Sequence, residues 1–420
     1  MESLKRNIGL KWVRLVPLLV VAAIPLSVAL VLYNDNVSSQ SKPYIIQGYS
    51  LAKARMAVES TGAKVTQVLT IIKAVAARLT IDQYDQLYHH RNVRRIYPDL
   101  DLMTSAKDRG YVEQGRQRDT FYPSQVRADQ LHLEGITGDG ITIAVVDSGL
   151  GYHHPLIENT RGDNRLLAIF DVSSSSLVEL SGVDEEDGDD SWYSWTSVGS
   201  LLNSFQSSSE SSSKSSKKSS KSSKNSSKSS KNSSKSSKNS SKSSRSWSHA
   251  TRSSAKDKYG HGSHLTSVMA SSKPTPDVDG DLTGAYNGIA PDASIVVVKA
   301  FDRDGFSTYV KVISAIDFVV TYKDVYGIRV LNLSLSGPVR SYYWDDPLNQ
   351  AVMAAFQAGI VVVTSAGNTG PGPMTVGVPG NVPYVITVGA MSDNYSPDDV
   401  TDDYLTSFSS AGPTYEGFVK

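Results

Sequence analysis

Three side chains of this 420-residue chain stand where chemistry could be done. Asp147 closes the run Ile141-Thr142-Ile143-Ala144-Val145-Val146, which is fed by the turn Gly138-Asp139-Gly140. An apolar run of this kind predicts a strand buried on both faces, as in a parallel sheet covered by helices. A carboxylate at its end is costly to desolvate without a partner, and open α/β sheets build their sites at the carboxyl ends of strands. His261 lies between Gly260 and Gly262 at the mouth of a short helix. Imidazole titrates near neutral pH and is the side-chain type suited to moving protons; the flanking glycines leave room for a substrate to approach. Asn368 follows a later buried strand, in Ser365-Ala366-Gly367-Asn368-Thr369-Gly370. Each residue also has a plainer reading. Asp147 could cap a helix, His264 is a competing imidazole one turn along, and an Asn after a strand is ordinarily a turn residue.

The elements that must position these groups can be read from the second half of the chain. Ser294 to Phe301 reads as a strand, followed by a helix capped by Ser307 and running to about Tyr322. That helix carries Val310, Ile313, Ile316, Asp317 and Val320 on one stripe. Ile328 to Ser334 is the next strand and Pro347 to Ala358 the next helix. Further strands are expected at Ile360 to Ser365, Tyr384 to Val388 and Leu405 to Ser409. Strand and helix alternate with short connections, which requires a parallel sheet with right-handed crossovers.

An Asp at a strand end, a His at a helix start and an Asn at a later strand end, in that chain order, resemble the subtilisin-like serine proteases (subtilases). Gly288-Ile289-Ala290-Pro291 and Asn332-Leu333-Ser334-Leu335-Ser336-Gly337-Pro338 add to the likeness, which runs from about Asp139 to the last residue apart from one insertion. The resemblance implies a three-layer αβα fold with a mainly parallel sheet. It also implies a serine endopeptidase that hydrolyses peptide bonds in proteins or peptides through an Asp-His-Ser triad. Asp147 would orient the base, and His261, which alone matches the family position, would be that base. Asn368 would donate to the oxyanion. Ser334, Leu335, Ser336 and Gly337 would present an exposed edge for an extended substrate. With Ala366 and Gly367 they would wall a primary pocket whose small side chains suit a large apolar residue.

The family's nucleophile lies in Gly-Thr-Ser-Met-Ala, after the equivalent of Gly412-Pro413. No Gly-Thr-Ser occurs in these 420 residues. The expectation is therefore an amino-terminal piece of a preproprotease, inactive as it stands. The alternative is a catalytically inactive subtilase fold serving as a surface-binding protein. The reaction requires no cofactor. Calcium is a structural ion in many family members, and Asp277, Asp279 and Asp281 around a Gly turn are its candidate ligands. Their spacing is not that of an EF-hand, and a solvated turn is the plainer reading.

The remaining chain bounds these readings. Formal net charge is zero, so bulk charge implies no nucleic-acid partner, and the absence of cysteine excludes disulfides and thiol catalysis. Asp147-Ser148-Gly149-Leu150-Gly151 is not a dinucleotide fingerprint. Lys5, Arg6, Lys11 and Arg14 precede the uncharged run Leu15 to Tyr33. Residues 1–40 are thus a cleaved signal or a membrane anchor, and the product is secreted or held at the cell surface. Residues 43–102 read β-α-β-β-α-β, a small ferredoxin-like α+β unit. Ala76-Ala77-Arg78-Leu79-Thr80 and Val93-Arg94-Arg95-Ile96-Tyr97-Pro98-Asp99 resemble a subtilase propeptide, implying that the chain carries its own intramolecular inhibitor. As a bare pattern, such a unit could be any regulatory module. Residues 103–136 form a polar linker holding the maturation cut, and 137–420 the catalytic domain. An insertion over about 173–257 contains an acidic cluster at 184–190 and a Ser/Lys/Asn repeat at 207–244, a composition without apolar surface and expected to be disordered. It could attach the protein to polyanions or be a solvated surface loop. Loop closure costs grow only logarithmically with length, so Asp147 and His261 can still meet.

Overall fold

The computed structural model describes residues 40–104, 122–179, 194–197, 256–276, 282–394, 396 and 399–420. The apolar amino-terminal run, the acidic cluster, the Ser/Lys/Asn repeat and Asp277, Asp279 and Asp281 lie outside them. Among the described residues no helix is long and apolar enough to cross a membrane. The chain forms two compact units, divided between Asp99 and Leu100.

The first unit comprises β1 (Lys42–Gly48), α1 (Leu51–Ser60), β2 (Val65–Leu69), β3 (Ala74–Leu79), α2 (Ile81–Tyr88) and β4 (Val93–Pro98). Its antiparallel sheet runs in the order β2-β3-β1-β4. Both helices start on polar caps. Ser50 accepts from the Lys53 amide, and Thr80 with Gln83 forms a reciprocal capping box. Ala54, Ala57 and Val58 of α1 meet Ile46, Val75 and Leu79 of the sheet. The second strand stops at Leu69. A 3₁₀ turn at Thr70–Ile72 and left-handed Lys73 (φ 56°) reverse the chain so that β3 can return antiparallel.

The second unit opens with β5 (Asp101–Thr104), α3 (Tyr122–Gln125), α4 (Ala128–Leu133), β6 (Thr142–Asp147), α5 (His154–Ile157), β7 (Leu166–Asp171), β8 (Ser176–Glu179) and β9 (Ser194–Ser197). It continues with α6 (His261–Ala270), β10 (Pro274–Pro276), β11 (Leu282–Tyr286), β12 (Ser294–Lys299), β13 (Phe306–Thr308), α7 (Tyr309–Thr321), α8 (Lys323–Tyr326) and β14 (Ile328–Leu333). The last elements are β15 (Leu335–Ser336), α9 (Pro347–Gln357), β16 (Val361–Ser365), β17 (Ile386–Val388), β18 (Met391–Ser392) and β19 (Tyr404–Leu405).

The large sheet has the order β17-β16-β14-β6-β12-β7-β8-β9. Pairing is parallel from β17 to β7 and antiparallel for β8 and β9. All six residues of β6 are buried, because β14 and β12 flank the strand and helices cover it. Parallel neighbours place their carboxyl ends on one edge, so Asp147 and the loop after Ser365 share that edge.

Several local expectations change. The cap of α7 is Thr308, whose hydroxyl accepts from the Lys311 amide; Ser307 lies within β13 and donates to the Ala300 carbonyl. Strand pairing claimed Ser307 before the helix could begin. The buried face of α7 centres on Val312, Ile313, Ala315, Ile316 and Val319, while Val310, Asp317 and Val320 are only partly covered. The final strand is Tyr404–Leu405 alone, since the Ser409 amide turns back to Thr406. Of residues 103–136, expected to be a polar linker, those described include the end of β5 together with α3 and α4, and Leu100–Leu102 belong to the second unit. The insertion is narrower than 173–257: β8 pairs with β7, and Lys256 bridges to Leu150.

Candidate active site

Asp147, at the end of β6, is 1% exposed. Its two carboxylate oxygens lie 2.8 and 2.9 Å from His261 Nδ1, across 114 positions of sequence. With the proton on Nδ1 donated to the carboxylate, Nε2 keeps its lone pair and can accept a proton. The carboxylate then stabilises the imidazolium that results. His264 is exposed one turn along α6.

Gly262 makes this approach possible. A Cβ there would sit 2.3 Å from the Gly149 carbonyl oxygen and 3.2 Å from Asp147 Cβ. The expectation that Gly262 clears space for a substrate is therefore corrected: it is buried against the end of β6, where any side chain would push α6 away from the acid.

Two polar residues missed in the sequence complete the junction. The Ser148 amide donates to Asp147 Oδ1 at 2.7 Å. Asp257, half-buried, accepts from the Ser148 and Ser263 hydroxyls and from the amides of Tyr259, Gly260 and Ser263. Burial alone would raise its pKa. The bonds from the Ser263 hydroxyl, the Gly260 and Ser263 amides and the Ser148 hydroxyl outweigh that and hold the carboxyl below its ordinary range. The signal was an Asp three residues before Gly260 at a helix start, an arrangement in which a carboxylate collects backbone amides.

The edge expected to lie open is occupied. β5 is the central strand of an antiparallel sheet ordered β13-β5-β15. Leu335 faces Thr104 and Ser336 faces Met103 on one side, while Phe306, Ser307 and Thr308 face Met103, Leu102 and Asp101 on the other. The Thr104 amide also donates to the Gly305 carbonyl at 3.1 Å. Leu102 is 2% exposed, and a Cβ at Gly337 would lie 2.8 Å from its Cδ2.

Met103 and Thr104 border a cavity of about 990 Å³ that Ser336, Gly337, Asn368 and Gly377 also line. Asn368 and the end of β5 thus border one cavity. The Ala366 amide is bonded to Val388, and Gly367 (φ 109°) packs where a Cβ would be 2.7 Å from Ser336 Oγ. Ser334 accepts from the Asn332 side chain. Arg340, Tyr342 and Tyr415 also border the cavity.

The sequence pattern of the subtilase family (Peptidase_S8) matches residues 138–420, and the chain belongs to that family. It is 37% identical over 166 residues to serine protease AprX of Bacillus subtilis (strain 168), a match covering 38% of this chain and 36% of AprX. Subtilisin E of the same organism is 25% identical over 383 residues, covering 89% of this chain and 70% of that protein. Among solved structures, fervidolysin from Fervidobacterium pennivorans, a keratinolytic enzyme related to subtilisin, superposes with a TM-score of 0.51 at 18% identity. That superposition covers 89% of this chain and 47% of fervidolysin. The fold is subtilisin-like.

Proposed function

We propose that this chain is the binding and proton-transfer part of a serine endopeptidase in precursor form. The observation that carries the reading is the Asp147–His261 pair at the carboxyl edge of the sheet. His261 Nε2 takes the proton of a serine hydroxyl as its oxygen attacks the substrate carbonyl carbon. Asp147 stabilises the imidazolium, and the Asn368 amide donates to the carbonyl oxygen as it becomes negative. The imidazolium then returns its proton to the departing amine as the C–N bond breaks. This chemistry asks for no cofactor. In the family that serine lies in Gly-Thr-Ser-Met-Ala, and no Gly-Thr-Ser occurs among the 420 residues.

The strand Asp101–Thr104 is read as a bound substrate segment of the chain itself. It follows a propeptide at residues 43–99, and the maturation cut falls just after Thr104, beside Asn368. Leu102 then marks a preference for an aliphatic side chain two residues before Thr104's place in a protein substrate. The cationic flank and the uncharged run Leu15 to Tyr33 support export, with the segment cleaved or kept as an anchor. A chain that includes the serine segment, freed of residues 1–104, is expected to react with a fluorophosphonate probe and to lose that reaction as His261→Ala. No labelling of the freed chain would reject the enzyme and favour the surface-binding scaffold.

A further inference from the structure

We infer that Ser148 and Asp257 are positioning residues for the Asp147–His261 pair, with the Ser148 hydroxyl passing the influence of Asp257 to the carboxylate that holds the imidazole. The inference rests on the reading of that pair given above.

Ser148 is 1% exposed, so water does not compete for its hydroxyl. Its oxygen accepts from the Gly262 amide at 3.0 Å and lies 3.1 Å from Asp147 Oδ1 and 2.9 Å from Asp257 Oδ1. A hydroxyl has one proton, so the two carboxylates compete for it. Asp257 is held where it is by its other donors, all from the start of α6. Ser263, one of them, also accepts from the Gly151 amide at 2.8 Å, which ties the loop after β6 to the same helix start.

Other charged and titratable groups stand close. Lys299 is in register with Asp147, its ammonium donates to the Lys256 carbonyl, and Asp171, Lys258, Asp257 and Asp302 act on it. The Tyr259 ring lies 6.3 Å from that of His261.

The consequence has a sign. Ionised Asp257 draws the hydroxyl proton toward itself, leaving Asp147 with more charge to hold His261 Nδ1–H. Replacing Asp257 by Asn turns the hydroxyl toward Asp147 and weakens that bond. Replacing Ser148 by Ala removes the donor and strengthens it. A role limited to packing would loosen the pair in both variants.

The test uses the full 420-residue chain with ¹⁵N-labelled histidine. It follows the far-downfield Nδ1–H proton of His261, assigned by its loss in His261→Ala. Asp257→Asn is expected to move the resonance upfield and to quicken its exchange with water by about threefold. Ser148→Ala is expected to move it downfield, and Asp257→Asn in the Ser148→Ala background to move it much less. Shifts in the same direction, no shift, or an undiminished Asp257→Asn shift in that background would overturn the proposal. If Asp257→Asn does not fold, Ser148→Thr carries the test: it keeps the hydroxyl and should keep the wild-type resonance that Ser148→Ala displaces. Identical spectra for those two variants would also overturn it. No step of the measurement needs the nucleophile, so a failure of proteolysis leaves the result readable.

Discussion

At the scale of the residue, the arrangement depends on which atom holds which proton. Asp147 accepts the Nδ1 proton of His261 with both oxygens, and this leaves Nε2 with the lone pair that the proposed base would use. Asp147→Asn preserves the shape but cannot hold that tautomer. In a chain carrying the serine segment, kcat is expected to fall by about 10⁴-fold. On the proposed oxyanion role, Asn368→Ala should lower kcat by about 10²–10³-fold with little change in KM, since an amide so placed acts on charge that appears only in the transition state. Steady-state kinetics on a peptide amide checks both. Asp257 makes a separate prediction. Its folded pKa lies below the ordinary 3.8, so the stability it contributes is present above 3.8 and lost as pH falls through the lower folded value. Asp257→Asn should flatten the acid limb of a plot of Tm against pH.

At the scale of the element, α6 and α9 show how close packing sets the site. The amino end of α6 can reach β6 only because Gly262 has no side chain. Gly262→Ala is expected to cost about 1–3 kcal/mol by overpacking and to lengthen the His261–Asp147 bond, seen as a lower Tm and loss of the Nδ1–H resonance. Asp346 caps α9 by accepting from the Leu348 and Asn349 amides, and Tyr309, the first residue of α7, donates to its other oxygen at 3.2 Å. Burial, only partly offset by those bonds, pushes the Asp346 carboxyl up to about 6. The stability it contributes is therefore full below 3.8 and lost as pH rises through about 6. Asp346→Asn keeps an acceptor at the cap and should make the protein more stable above that value, with a flatter pH dependence across the window. Denaturant melts at a series of pH values would show it.

At the scale of the whole molecule, the second unit closes a small sheet with its own residues 101–104. Leu102→Ala is expected to remove about 2–4 kcal/mol of buried packing and to speed amide exchange through β5. On the proposed cut after Thr104, mass spectrometry of a chain carrying the serine segment should find an amino terminus within a few residues after Thr104. Much of the architecture was legible in advance, because burial writes itself locally. The apolar run into Asp147 could only be a covered strand, and the alternation of strand and helix required a parallel sheet. The His261–Asp147 pairing was legible through the order of motifs. What the order of residues could not convey were contacts between segments remote in sequence. Nothing local says that Asp101–Thr104 is a central strand, since its partners Phe306–Thr308 and Leu335–Ser336 lie some two hundred residues away. Ser307 reads as a cap until that pairing claims it. Asp257 and Ser148 read as loop residues until α6 docks on β6. The linear chain thus determined which segments must be buried and which chemistry was on hand. Only the tertiary structure decided which partners each polar group and strand edge would find, because a hydrogen bond requires atoms within about 3 Å and folding alone brings distant atoms that close.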